Sequence, residues 1–407
     1  MKTWRVPYPK FGSGPGLVRV ARVARKLGVD LAEFGADGVV VVGSNGKGST
    51  AAMCAAMLQQ VGAPTGLFTS PHLLRLNERF RIDGADIDDD ELEHHWRRVR
   101  EATGAAGVED ALGGFEFLFL VAADWFAARG CGHTVWEAGI GGRFDPVRTI
   151  KARRVGLTAL DFEHTELLGA TLTAIACDKV DAAPVGGRLF VGEIEEDVFE
   201  VVQQHCRARA VSVLRAPALH ECEPSLAGAY QRSNAALAVA LAGDAVSLTL
   251  LQVRAGLAAT SWPGRLEIVS ADPLTIVDVG HTPRAVTAAL AGFELMRGER
   301  PAVLVCGASI NKDLAAIIGV LARRFETIIC AAAAHKGAPA AQVAAMASYA
   351  GGNAEVIVAE DVAEAWRIAE TKARERGAAI YVAGGLFLAA EYKAVLSGLD
   401  PAFLAHF

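Results

Sequence analysis

The chain reads as an α/β protein in two parts: a mostly parallel sheet domain of phosphate-loop type over residues 1–262, then a smaller α/β domain over residues 263–407. Three observations predict this. Short β-branched runs alternate with Ala- and Leu-rich stretches along most of the 407 residues, the pattern of a parallel sheet covered by helices on both faces. A valine strand runs directly into a glycine-rich loop and then into a helix former. Near Ser261-Trp262-Pro263-Gly264-Arg265 a helical stretch ends, Pro-Gly punctuates and the strand–helix rhythm restarts.

In chain order the clearest strands are residues 38–42, 134–136, 155–158, 189–191, 275–277, 302–306, 327–330, 356–358 and 379–382. Helical spacing of apolar positions marks residues 115–129, 250–258 and 361–376. The last ~145 residues carry four or five strand–helix units, enough for a Rossmann-like second domain. No 20–50-residue repeat is present.

Composition narrows the class. Hydrophobic residues make up 52% and charged residues 21%, enough for large cores. A net charge of −6 without a long basic run gives no support for nucleic-acid binding. The seven cysteines are scattered and odd in number, with no C-x-x-C pair. That argues against a disulfide framework or a structural zinc site and for a reducing compartment. The start, Met1 to Pro7, lacks the apolar core of a signal peptide, and no apolar run reaches the ~18 residues of a membrane span. A cytoplasmic protein without a membrane partner is expected, and a monomer.

The loop is Gly43-Ser44-Asn45-Gly46-Lys47-Gly48-Ser49-Thr50, preceded by Val39 to Val42 and followed by Ala51 to Leu58. Glycines let backbone N–H groups converge on an anion, and the following helix offers its positive end. Lys47 can reach the β/γ-phosphates of a nucleotide, and Ser49 or Thr50 can face phosphate or Mg²⁺. Unlike the commonest spacing, a glycine stands between Lys47 and the hydroxyl residues. Kinases, GTPases, motors and ligases all use such a loop, so it does not name the reaction.

With Asn45 before Gly46-Lys47, the loop resembles that of the Mur ligase superfamily. The pieces Phe68-Thr69-Ser70-Pro71-His72-Leu73 and Asn77-Glu78-Arg79-Phe80-Arg81-Ile82 are similar to folylpolyglutamate synthase, often bifunctional as dihydrofolate synthase. The match continues through Phe115-Glu116, Glu137-Ala138-Gly139-Ile140-Gly141-Gly142-Arg143-Phe144-Asp145 and His164-Thr165-Glu166-Leu167-Leu168-Gly169. Later pieces are Gln231-Arg232-Ser233-Asn234, Pro263-Gly264-Arg265, Asp278-Val279-Gly280-His281-Thr282-Pro283 and Lys312-Asp313. They keep the family's order and cover nearly the whole chain.

The resemblance implies a Mur-ligase-type central domain and C-terminal domain, and an ATP- and Mg²⁺-dependent ligase of folate metabolism. Such an enzyme joins a carboxylate to the amine of an amino acid, usually glutamate, through an acyl phosphate. It implies nucleotide contacts from Asn45, Gly46, Lys47, Gly48, Ser49, Thr50, Asn234, Arg265 and Asp278, and metal ligation by Ser70, Glu137, His164 and Lys179. Lys179 falls where the family carries a carbamylated lysine; Lys47, Lys179 and His281 are the expected catalytic residues. The acceptor positions map onto Phe115, Glu116, Phe144 and Asp145, where two rings could sandwich a flat heterocycle.

The chain departs from the family in three places. It reads Lys179-Val180-Asp181-Ala182 for Lys-Ala-Gly-Ile, His281-Thr282-Pro283 for His-Asn-Pro, and Pro146-Val147-Arg148-Thr149 after Asp145. The third lies beside the expected acceptor pocket and bears on the folate identity more than on the chemistry. Two alternatives stay open: the same ligation on a non-folate acid, and a nucleotide-binding regulator without catalysis. Asp313 reads equally as a helix N-cap. His94, His95, Arg97, Arg98 and Arg100 read as the solvated face of a polar helix.

Overall fold

The computed structural model describes residues 4–404. Eight strands make the first sheet: β1 (Gly38–Val42), β2 (Thr65–Phe68), β3 (Phe80–Ile82), β4 (Ala85–Asp86), β5 (His133–Glu137), β6 (Arg154–Leu157), β7 (Arg188–Val191) and β8 (Ser212–Arg215). Their spatial order is β4-β3-β2-β5-β1-β6-β7-β8, antiparallel only at the β2–β3 and β3–β4 pairings. β1 therefore lies at the centre, in parallel register with β5 and β6.

Helices α1 (Leu17–Leu27), α2 (Lys47–Leu58), α3 (Asp89–Ala106), α4 (Gly114–Ala128), α5 (Thr165–Leu168), α6 (Leu172–Val180), α7 (Glu196–Arg207), α8 (Tyr230–Ala245) and α9 (Leu250–Ala259) cover this sheet. The valine run of β1 shows why. Val40 and Val42 join the core shared with α1, α3 and α4, whereas Val39 and Val41 join the one shared with α2, α8 and α9. A strand buried on both faces needs apolar residues at every position, so it reads as an unbroken run.

The second sheet contains β9 (Glu267–Ala271), β10 (Leu274–Val277), β11 (Ala302–Cys306), β12 (Thr327–Cys330), β13 (Glu355–Val358) and β14 (Ala379–Ala383), in the order β13-β12-β11-β14-β10-β9. Only β9 is antiparallel. Helices α10 (Pro283–Arg297), α11 (Leu314–Ala322), α12 (Ala340–Gly351), α13 (Val362–Arg376) and α14 (Leu386–Leu396) complete five strand–helix units. β11 divides like β1: Leu304 and Cys306 face the α10–α12 side, Val303 and Val305 the α13–α14 side. The protein is thus two α/β domains with mostly parallel sheets, and the carboxyl ends of their central strands carry the loops described next.

Candidate active site

The phosphate loop leaves β1 and closes onto α2 at Lys47, whose N-cap Gly46 has φ 91°. Only glycine fits there: the backbone is left-handed, and a Cβ would lie 2.3 Å from Asn234 Oδ1. Ser44 Oγ donates to the Asp161 carbonyl (3.1 Å), and Asn45 Nδ2 donates to Asp161 Oδ2 (3.2 Å). Lys47 Nζ donates to the carbonyls of Gly43 (2.9 Å) and Ser44 (3.2 Å). Gln231 Nε2 donates to Ser49 Oγ at 3.3 Å and accepts through Oε1 from Asn234 at 2.9 Å, so Gln231 and Asn234 buttress the loop from α8.

These residues fit a nucleotide phosphate. The amide ends of a 12-residue helix converge on the loop, a lysine lies beside it, and Thr50 Oγ1 is buried without a hydrogen-bond partner among the described residues.

Lys179 is buried at the end of α6, 1% exposed, with Nζ donating to the Gly43 carbonyl and to Glu163 Oε1, both at 2.8 Å. Burial and then the charge of Lys47 bring its pKa down to about 8. At Glu163 burial works upward, but Lys47 and then Lys179 outweigh it and hold the carboxyl at about 2. One carboxylate thus serves two lysines. Glu163 is a site residue that the sequence reading missed; its only signal was its place before His164.

Ser70 and Glu137 do come together: Glu137 Oε2 accepts from the Ser70 backbone N–H at 2.9 Å. They line a cleft with Gly48, Arg81, Trp262 and Arg265. Burial raises the Glu137 pKa, opposed by the charge of Lys47 and then by the Ser70 N–H. A carboxylate beside a hydroxyl residue and the phosphate loop fits a hard cation that also takes phosphate oxygens and water.

The other two expected metal ligands are placed differently. Lys179 points its amine at Glu163 and Gly43, and as an ammonium it has no lone pair to offer a metal. His164 sits at the N-cap of α5 with φ 47°, its Nδ1 3.9 Å from Glu166 Oε1, and burial lowers its pKa. Among the described residues no three His, Cys, Asp or Glu side chains gather as a metal centre.

From the second domain, Asp278 accepts from Gly280 N–H (2.7 Å) and Leu266 N–H (3.1 Å), and burial raises its pKa. Both its oxygens organise the loop. His281 Nδ1 lies 3.3 Å from the Val279 carbonyl, and burial drives its pKa to about 4, so the ring is neutral at neutral pH. The family's Asn is Thr282 here, and Thr282 Oγ1 caps α10 by accepting from Ala285 N–H at 3.2 Å, with Pro283 at the first helical position. The same hydroxyl accepts from Asn45 Nδ2 at 3.5 Å and so meets the phosphate loop. Asp313 caps α11 through Ala316 N–H at 3.1 Å.

The expected acceptor residues are held by partners within the fold. Glu116 is engaged within the fold: its two oxygens take Arg19 Nε and Nη2, each at 2.7 Å, and Oε2 also takes Gly113 N–H at 2.9 Å. Arg19 in turn holds the Ser13 and Gly14 carbonyls at 2.8 Å, so Glu116 anchors the N-terminal segment. Asp145 is likewise turned inward. It accepts from Gly139, Ile140 and Val147 N–H groups at 2.9–3.1 Å and folds the glycine loop, while burial pushes it up to about 7. Phe115 packs 5.6 Å from Phe68 at the edge of the core, and Phe144 is 53% exposed under Arg143.

Asp181, one of the departures, binds Arg143 Nε (2.9 Å), Arg209 Nη1 (2.7 Å) and His205 Nε2 (2.8 Å). It ties α6 and α7 to the glycine loop. The expected solvated face of α3 is also corrected: His95 is buried 2.6 Å from Asp124, which Arg98 also contacts at 2.9 Å.

Two mostly parallel sheet domains, with a phosphate loop on the first that meets the Thr282 turn of the second, define the Mur ligase class, and residues 264–386 match the family described as Mur ligase, glutamate ligase domain. The chain is 32% identical to the folylpolyglutamate synthase of Lacticaseibacillus casei over 321 residues, covering 71% of this chain and 74% of that one. It belongs to the folylpolyglutamate synthase family. A probable bifunctional folylpolyglutamate synthase/dihydropteroate synthase of Halobacterium salinarum is 30% identical over 416 residues, 94% of this chain. This chain spans about half of that longer relative, 49% of its length. The solved bifunctional folylpolyglutamate synthase/dihydrofolate synthase of Yersinia pestis, complexed with AMPPNP and Mn, superposes with a TM-score of 0.83 at 26% identity, over 97% of this chain and 95% of that one. No helix among the described residues is long and apolar enough to cross a membrane.

Proposed function

We propose that the protein is an ATP-dependent ligase that joins the carboxylate of a folate or dihydropteroate type acid to the amine of glutamate. The observation that carries this reading is the shared cleft, where the first turn of the phosphate-loop helix, Ser70, Glu137 and, from the second domain, Arg265 face one another. An acid oxygen attacks the terminal phosphorus of ATP, ADP leaves, and an acyl phosphate forms. The amine then attacks the acyl carbon, the amide bond forms, and phosphate and a proton leave.

In this reading Lys47 and Arg265 offset charge on the transferring phosphoryl group. Glu137 and Ser70 would hold Mg²⁺, which supplies further charge neutralisation when bound. The Asn45–Thr282 contact brings the second domain's turn, which carries His281, against the loop.

The test is direct. The protein is incubated with ATP, Mg²⁺, glutamate and either dihydropteroate or tetrahydrofolate, and product is sought at the mass of one added residue. Phosphate release that depends on both acid and amino acid is expected. Turnover with another acid and none with either pterin would refute the folate assignment, and ATP binding without dual-dependent turnover would favour a regulator.

Lys179 is further proposed as a carbamylation site. Its lowered pKa enlarges the neutral amine fraction that attacks CO₂. The amine nitrogen bonds the CO₂ carbon and releases a proton to solvent, and the carbamate keeps one N–H for the Gly43 carbonyl and replaces the cation with a carboxylate-like ligand. Lys179→Ala is expected to lose activity that a short carboxylate partly restores. Near wild-type turnover by this variant without any additive would end the proposal.

A further inference from the structure

Trp262 lies in the strap between the domains, after α9 ends at Ala259 and before β9 opens at Glu267. Its indole covers the first turn of α2. A Cβ on Gly48 would stand 2.8 Å from Trp262 Cζ2 and 2.9 Å from Nε1. The Arg81 guanidinium lies 5.1 Å from the Trp262 ring centre, with its Nε held by Asp86 Oδ1 at 2.7 Å. That distance is within reach of a cation–π contact.

Just beyond, the strap is fastened to the second domain. Val279 N–H donates to the Gly264 carbonyl (2.9 Å), Gly264 N–H donates to Glu267 Oε2 (2.7 Å), and Leu266 N–H donates to Asp278 Oδ2 (3.1 Å). Lys393 Nζ grips Glu267 at 2.6 Å. Pro263 alone separates a residue fixed on the phosphate-loop helix from residues fixed on the second sheet. Arg265 lies on the second-sheet side and lines the same cleft as Gly48 and Glu137.

We propose that Trp262 is a positioning residue that couples the phosphate loop to the second domain: its indole fastens the strap to Gly48 and Arg81 and thereby sets where Arg265 enters the nucleotide cleft. This gives a physical reason for the glycine that follows Lys47. Any side chain at position 48 drives into the indole and lifts the strap. The inference rests on the nucleotide reading above and is independent of which acid is ligated.

The test is calorimetric titration of ADP with Mg²⁺ into the full chain and its Trp262→Ala, Trp262→Phe, Gly48→Ala and Gly48→Ala/Trp262→Ala variants, with a melting curve for each. Trp262→Ala and Gly48→Ala are each expected to weaken ADP about tenfold, and Trp262→Phe less than about threefold. The double variant is expected within about twofold of Trp262→Ala, because contacting residues are not additive.

Losses that multiply in the double variant would overturn the proposal, since Gly48 would then be needed for the phosphate and not for the indole. So would a Trp262→Ala variant of lowered melting temperature with ADP affinity within about twofold of wild type, the mark of packing alone. If Trp262→Ala does not fold, Trp262→Leu takes its place in the cycle. A wild-type chain that binds ADP and ligates no acid still decides the coupling by the same titrations. One that binds no ADP overturns the nucleotide reading and the coupling with it.

Discussion

Lys179 and Glu163 lie 2.8 Å apart in a pocket that also feels Lys47. Glu163 is held at about 2, well below its ordinary 4.5, so in the folded protein it resists protonation in acid. A depressed carboxylate contributes stability that is present above the unfolded pKa and lost as pH falls through the folded one. Glu163→Gln is therefore expected to flatten the acid limb of the stability profile between about pH 4.5 and 2, measured by urea denaturation at a series of pH values. An acid limb identical to wild type would show that Glu163 is not the group responsible.

At this scale Lys47 and Glu137 stand out in the sequence because each belongs to a short motif of consecutive residues. Glu163 does not, because its partner is 16 positions away. The anchoring partner of Glu116 was hidden for the same reason: Arg19 stands 97 residues earlier.

Among the elements, the central strands were readable and the marginal ones were not. β1, β11 and β12 occupy the predicted residues 38–42, 302–306 and 327–330, as expected of strands packed on both faces. β2 escaped because Gly66 interrupts its apolar run; a Cβ there would lie 2.8 Å from the Phe126 ring. β9, antiparallel at the sheet edge with mixed exposure, carries no such run. Thr282, a departure from the family's turn, performs the cap that α10 needs and also accepts from Asn45. Thr282→Ala is expected to cost about 1 kcal/mol in denaturant titrations, the usual loss for an N-cap, and Thr282→Ser to restore most of it. A neutral Thr282→Ala would mean that Pro283 alone starts the helix.

For the whole molecule, the proposed nucleotide site draws on both domains, through Asn45, Glu137 and Arg265. A ligand that binds only the folded chain stabilises it by mass action, about 2.7 kcal/mol at a hundredfold excess over its Kd. ADP with Mg²⁺ is expected to raise the melting temperature in a concentration-dependent way, and EDTA to remove most of that shift. An unchanged melting temperature at millimolar ADP would count against the site.

The sequence by itself determined the two α/β halves, the phosphate loop and the family, because strand burial and glycine spacing are local properties written in consecutive residues. Only the tertiary structure decided that Lys179 answers to Glu163, that Glu116 and Asp145 hold the fold together, and that Trp262 lies on Gly48. Those pairings form between residues far apart in the chain, where charge balance and close contact are settled by packing and leave no periodic trace.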